Sequence, residues 1–176
     1  MPKMNQKGFS LMEITIVIFI LSVAAVIIVS QYSSSRSSKA LYLGSKQIVN
    51  DVRITQNYTF SALETTGGNP SGGYGIRFSN NSNSYLIFAD KNSNKAYDAG
   101  EDYQTINFPN SVKIISLKIG ATNYDEIDIV FTSPYGEVYI DGVNKNISDN
   151  FVNLEIEISN SAGAKIINVN SSRRVN

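Results

Sequence analysis

Residues 9–29 read FSLMEITIVIFILSVAAVIIV, and Glu13 is the only charged residue among these 21 positions. The stretch contains neither Pro nor Gly, so nothing in it interrupts a helix. At about 1.5 Å per residue, a helix of this length spans ~31 Å, close to the ~30 Å hydrocarbon core of a bilayer. Lys3 and Lys7 precede it and no acid does. That bias places the N-terminus in the cytoplasm and everything after residue 30 outside. A secretory signal peptide would carry a shorter apolar region, roughly 7–15 residues, ending at a small-x-small site. Here the run is longer and continues into helix-compatible sequence. Cleavage after the apolar region and a simple uncut anchor stand as the alternatives.

Outward from this segment, the composition excludes several kinds of chemistry. The chain has 176 residues, 15 Lys+Arg, 15 Asp+Glu, and no His, Cys or Trp. That length suits one domain with a core and is short for two. Without His or Cys there is no His- or Cys-ligated zinc, no Ser-His-Asp triad, no cysteine nucleophile and no disulfide. Balanced charge argues against bulk electrostatic binding of nucleic acid. The charged fraction is 17%, against roughly 25% for a soluble domain, and the deficit concentrates in the first thirty residues. No Gly-rich phosphate motif is present: Gly72-Gly73-Tyr74-Gly75 lacks the Lys and the following helix of a P-loop. Enzymatic function has no residue support.

Glu13 is the informative exception. A carboxylate inside an apolar span costs about 2.5–3.5 kcal/mol at the helix centre and less near the interface. Such a residue reads as functional by default; the alternative is an interfacial Glu that reaches water. Its surroundings, Lys7-Gly8-Phe9-Ser10-Leu11-Met12-Glu13 followed by an apolar run, resemble the class III signal of type IV prepilins. The resemblance implies cleavage by a prepilin peptidase after Gly8, N-methylation of Phe9, and an assembly role for Glu13 at the fifth mature position. The physics is consistent with it. Cleavage creates a positive amine at Phe9, which could pair with Glu13 of a neighbouring subunit. A satisfied buried pair is tolerable where a lone buried charge is not. Such pairing sets packing register, as a polar residue does in a coiled coil.

Beyond residue 30 the sequence continues without Pro to residue 63. Leu41, Ile48, Val52 and Thr55, with Ser45 and Thr59 between turns, follow helical spacing. Lys39, Lys46, Asp51 and Arg53 punctuate the remainder. This predicts an amphipathic helix continuing the first, with the Ser-rich 33–38 stretch exposed where it leaves the bilayer. Unbroken from Phe9 to Leu63, such a spine would be about 80 Å long. The stretch 64–73, ETTGGNPSGG, is a stop and loop. From Tyr74 short alternating runs predict strands near 74–79, 84–90, 103–108, 111–119, 126–132, 137–141, 151–159 and 164–170. The 84–90 run is apolar on both faces, which suits a central strand. Glu155 and Glu157 share a regular polar stripe, as a solvated sheet face requires.

Tyr74-Gly75-Ile76-Arg77-Phe78, Tyr85-Leu86-Ile87-Phe88-Ala89-Asp90 and residues 129–136, IVFTSPYG, are similar to the GspH/FimT branch of minor pilins and type II secretion pseudopilins. The closing strand 165–169 and its basic tail fit as well. The implied fold is α+β and pilin-like: a long N-terminal hydrophobic helix packed on an antiparallel β-sheet or β-sandwich head. The implied organisation is a cleaved leader (1–8), a transmembrane and assembly helix (9–30), an amphipathic continuation (31–66), a linker (67–73) and a β-rich head (74–176).

Two further stretches invite specific readings. In residues 90–101, Asp90, Asn92, Asn94, Asp98 and Glu101 fall at positions 1, 3, 5, 9 and 12 of the EF-hand spacing. Lys95 occupies the position where that loop needs Gly, and the flanks are strands. A calcium loop and a polar hairpin tip are both open, since Asp and Asn also satisfy backbone groups in turns. No other cofactor is expected. Lys165, Arg173 and Arg174 form a basic tail, which in some members of this branch is associated with DNA uptake. Here Ser172 replaces a Gly, and so few cations supply few phosphate contacts. A solvated tail is the alternative.

Together these readings describe a minor pilin or pseudopilin, a structural subunit of a type IV pilus or type II secretion filament. It would sit in the bilayer, N-terminus cytoplasmic and head outside, before joining an extracellular or periplasmic filament. The partners implied are other pilin subunits, prepilin peptidase and an inner-membrane assembly platform. A filament-borne binding module, for DNA or adhesion, and a major pilin are the alternatives. Loss of residues 1–8 removes Lys3 and Lys7, leaving 13 basic and 15 acidic side chains.

Overall fold

The computed structural model describes residues 8–61, 64, 70–109, 111–133, 137–140, 143–144 and 153–170. The chain forms two compact units, Met1–Arg36 and Ser37–Asn176. One helix, α1 (Leu11–Phe60), contributes to both. It runs unbroken through the Ser-rich 33–38 stretch, whose weak propensity does not end it.

In the first unit α1 is the apolar segment. An 18-residue window within the helix has a mean hydropathy of 2.8 and none of it is buried. Two hydroxyls in this segment are folded back onto the helix. Thr15 Oγ1 donates to the Met12 carbonyl at 2.8 Å and Ser22 Oγ to the Ile18 carbonyl at 2.8 Å. Their polarity is thus satisfied internally, as a lipid-facing surface requires.

In the second unit α1 lies on two antiparallel sheets. The larger holds β1 (Gly73–Ser79), β2 (Ser84–Asp90), β3 (Asp102–Asn107), β6 (Glu126–Thr132), β7 (Glu137–Ile140) and β8 (Val143–Asn144), in the order β3-β2-β1-β6-β7-β8. The smaller holds β4 (Lys113–Ile119), β5 (Thr122–Asn123), β9 (Asn153–Asn160) and β10 (Gly163–Asn170), in the order β10-β9-β4-β5. The class is α+β, a long N-terminal helix packed against antiparallel sheets in a pilin-like arrangement. Each of the eight runs expected to be extended coincides with one of these strands; β5 and β8 are two-residue additions. The expected strand residues 141, 151 and 152 lie outside the described residues.

Alternation decides which residues enter the core. Ile76 pairs with Ile87 on one side and Ile129 on the other, all fully buried. Ile156 likewise sits between Leu117 and Ile167. These rows and the buried face of α1 make one cluster. That helix face carries Leu41, Ser45, Ile48, Thr55 and Thr59, as the spacing predicts. Asp51 departs from expectation. It is not a solvated punctuation residue but is buried on the same face, where the Tyr85 hydroxyl donates to its Oδ2 at 2.5 Å. Thr59 joins α1 to two strands: its Oγ1 accepts the Tyr74 N–H at 3.0 Å and donates to the Phe131 carbonyl at 3.2 Å. Gly73, at φ +94°, lets the chain pass against that carbonyl, where a Cβ would collide with it. The helix ends at Phe60, short of the expected stop. There Ser61 donates both its N–H and its hydroxyl to the Asn57 carbonyl, at 2.9 and 2.8 Å.

Three tyrosines close one end of this interface. The rings of Tyr58, Tyr74 and Tyr103 lie 5.5–5.6 Å apart pairwise. Burial, then the neighbouring Tyr103 and Tyr58, push the Tyr74 hydroxyl up to about 12. Burial and the hydrogen bond to Asp51 also raise Tyr85. Phenols of the unfolded chain ionise from about pH 10, so above that pH the unfolded state holds fewer protons than the folded state. Stability therefore falls as pH rises from about 10, and the Tyr74 contribution levels off above about 12. Melting temperatures followed from about pH 9 to 12 should show this decline, and Tyr74→Phe should make it shallower.

Candidate functional site

The N-terminal segment presents its special residues in sequence order. Gly8, Phe9 and Ser10 precede the helix and are exposed. The Ser10 carbonyl starts α1 by accepting the N–H groups of Glu13 at 3.0 Å and Ile14 at 3.2 Å. Ser10 and Glu13 also have the Ser-x-x-Glu spacing that opens helices. Glu13 lies in the first turn, where the helix dipole favours negative charge. The peptide bond between Gly8 and Phe9 thus lies in non-helical chain just before a rigid element, an accessible place for a peptidase. Phe9, Leu11 and Met12 are 79, 82 and 71% exposed. Apolar surface on this scale marks a site of burial in another medium or another molecule.

Residues 3–29 match the prokaryotic N-terminal methylation motif, the type IV prepilin signal. The chain is type IV pilin-like. The match spans the basic leader, Gly8, Phe9, Glu13 and the apolar helix together. It supports a pilin or pseudopilin processed by prepilin peptidase, and hence a structural subunit rather than an enzyme. Other pilin subunits are its implied partners, and the apolar helix fits membrane anchoring of the precursor. Neither the curated proteins nor the solved structures include a match to the chain.

In the pilin-like head, the 90–101 segment is a strap across the outer face of the larger sheet. Asp90 is fully buried; its carboxylate accepts the N–H groups of Asn94 at 3.2 Å and Lys95 at 3.1 Å, and Lys95 Nζ lies 3.7 Å away. Glu101 accepts the N–H groups of Lys91 at 2.9 Å and Asp98 at 3.0 Å. Asp98 accepts the side-chain amides of Asn92 and Asn94, at 2.7 and 2.6 Å. Asn92 and Asn94 each also cap a backbone N–H two residues on. Every candidate ligand is therefore engaged in holding the turn. Among the described residues no group of three or more His, Cys, Asp or Glu side chains could hold a metal ion. Millimolar calcium is expected to leave the melting temperature unchanged; a rise of several degrees would show that the loop takes the ion.

The strap explains the two-faced apolar character of β2. On the outer face Phe88 is fully buried beneath Tyr97, with ring centroids 5.5 Å apart. Gly75 lies opposite Phe88, and a Cβ there would collide with that ring. Arg77 stacks on Tyr97 at 4.6 Å and pairs with Asp128 across the strands through two bonds of 2.7 Å. Asp128 also accepts the Tyr97 N–H at 2.9 Å, and Glu126 lies 3.3 Å from Arg77 Nη1. The hydrogen bonds that Arg77 donates to Asp128 raise its pKa above the ordinary value. Sequence reading passed over Asp51, Arg77 and Asp128. For Asp128 a signal was present, an ionisable residue between Ile127 and Ile129 in a strand; for Asp51, beside Asn50 and Arg53, there was none.

Of the tail residues, Lys165 lies on β10 with its Nζ 4.8 Å from the centre of the Tyr42 ring on α1. Arg173 and Arg174 lie outside the described residues.

Proposed function

We propose that this pilin-like chain is a minor pilin or pseudopilin, a structural subunit of a type IV pilus or type II secretion filament. The observation that carries the reading is the complete prepilin signal at residues 3–29 joined to a helix that packs on antiparallel sheets. Prepilin peptidase cuts between Gly8 and Phe9, and the new Phe9 amine is methylated. Before that, residues 9–30 hold the precursor in the inner membrane with its leader cytoplasmic and its head outside. An assembly platform then moves the mature chain into the filament, and Glu13 sets its register there. The minor-pilin assignment rests on the head segments similar to the GspH/FimT branch. The domain boundaries follow the same division: leader, membrane helix, continuing helix, linker and head.

N-terminal sequencing of the chain from its native membrane tests this reading. The expected first residue is N-methylated Phe9. A mature chain beginning after residue 30, or one that keeps Met1, would overturn it.

A further inference from the structure

Of the outer strands of the two sheets, three are poor templates for a further strand. β5 and β8 are two residues long. β3 slips register against β2 at Ile87/Phe88, and its Asn107 carbonyl accepts the side-chain amide of Gln47 on α1 at 3.4 Å. β10 differs. Its eight residues pair with β9 without a register shift, and no described residue pairs with its other side. In an antiparallel pair, every second residue of an outer strand turns its N–H and C=O away from its neighbour. Proteins protect such edges with Pro, a bulge or an edge charge. β10 has no Pro and no bulge, and its one charge, Lys165, is drawn to α1, with Nζ 4.8 Å from the centre of the Tyr42 ring.

The outer face of the smaller sheet beside that edge is apolar and acidic. Ile166, 53% exposed, lies opposite Glu157 on the side away from the core. On β4 the register shift between Ile114 and Ser116 turns Ile115 outward, 39% exposed, so apolar surface stands on both sides of Glu157. Ala164 and Asn168 flank Ile166 on β10 and are exposed. Glu157 is half-buried, faces Ser116 on β4, and forms no ion pair among the described residues. Glu155, with Lys118 opposite on β4, forms none either.

We propose that β10 takes an extended segment of another protein as an added strand, with an apolar residue beside Ile166 and a Lys or Arg two positions along. The backbone supplies the attachment, and alternate side chains supply the specificity. Two strand spacings, ~9.5 Å, separate an added strand from β9. A Lys or Arg side chain passing over Ala164, which ends at its Cβ, spans that gap to Glu157. A second copy of β10 is a poorer occupant. Its outward residues Ala164, Ile166 and Asn168 carry no cation, so it leaves Glu157 unpaired. The edge lies wholly in the head unit, and the inference does not depend on the filament reading.

The test titrates the full-length chain, in detergent micelles, into a labelled peptide, acetyl-Thr-Arg-Thr-Val-Thr-Arg-Thr-amide, followed by fluorescence anisotropy. Saturable binding is expected. N-methylation of one alternate set of the peptide's amides should weaken it about tenfold, and N-methylation of the other set should leave it unchanged, because only one edge of the peptide pairs. Replacing both Arg by Glu in the peptide should also weaken binding about tenfold, and Glu157→Lys should reverse that preference. Melting of the Glu157→Lys chain checks that the head stays folded. The N-methyl arms need no variant, so they decide even where the substitution unfolds the head. No saturable binding at millimolar peptide, equal effects of the two methylated sets, or a preference for Arg that survives in folded Glu157→Lys would each overturn the proposal. The chain has no native Cys; Ile166→Cys chains that cross-link to one another on oxidation would place a second copy on the edge and overturn it as well.

Discussion

Glu13→Leu is expected to insert into the membrane normally, to be cut after Gly8, and to be almost absent from filaments. Removing a charge from an apolar helix favours insertion, so the precursor should accumulate at least as well as wild type. In the filament the loss is different. The mature Phe9 amine of a neighbour would face leucine and lie unpaired in an apolar packing layer. Breaking one partner out of a buried pair costs about 3–5 kcal/mol, which corresponds to a loss of roughly two to four orders of magnitude in incorporation. Glu13→Gln keeps the size and removes the charge, so it should fail nearly as badly. Immunoblots of membrane and sheared fractions, normalised to processed chain, give the measurement. Normal incorporation of either variant would remove the assembly role of Glu13.

Asp128→Ala should produce the largest loss of stability in the head. Asp128 side-chain exposure is 4%, and Arg77, its partner, is 23% exposed. The substitution removes two bonds to the guanidinium and strands the Tyr97 N–H beneath the strap. We expect a loss of about 3 kcal/mol, or a melting temperature lowered by ~10 °C for a unit of this size. Released from Asp128, Tyr97 should leave Phe88, and the 91–101 segment should become sensitive to protease. Arg77→Ala should also destabilise the head, because it leaves the buried Asp128 carboxylate without its cation. A shift below about 2 °C for Asp128→Ala would show that Tyr97 packing alone holds the strap.

The effects differ in kind because the two acids solve different problems. Asp128 meets its cation within the same chain, one strand away, and its role is complete in the monomer. The cation proposed for Glu13 comes from a neighbouring subunit, so its role emerges only in assembly.

The N-terminal half of the site was legible in the sequence because its signal is local. A basic leader, Gly8, Phe9, Glu13 and an apolar helix lie in unbroken register, and bilayer thickness supplies the length standard. The strands were legible for a similar reason, since period-two alternation in a half-buried strand is written residue by residue. What could not be read was which polar residues the fold would bury. Asp51 and Lys46 look alike in a list of helix positions, and Thr59 gives no hint that it will join two strands. In the 90–101 loop, spacing alone left both an ion and a turn open. Only the folded chain shows Asp90, Asp98 and Glu101 spending their oxygens on backbone and amide N–H groups.

The sequence by itself thus determined the pilin-like anchor, the processing signal and the α+β class, because each depends on periodicity and spacing along a short stretch. Tertiary structure decided where charge ends up. It paired Arg77 with Asp128 across strands 51 residues apart, set Tyr97 over Phe88, and turned the lysines and arginines of α1 outward. Burial and partner choice are properties of surfaces brought together from distant residues, and no local pattern contains them.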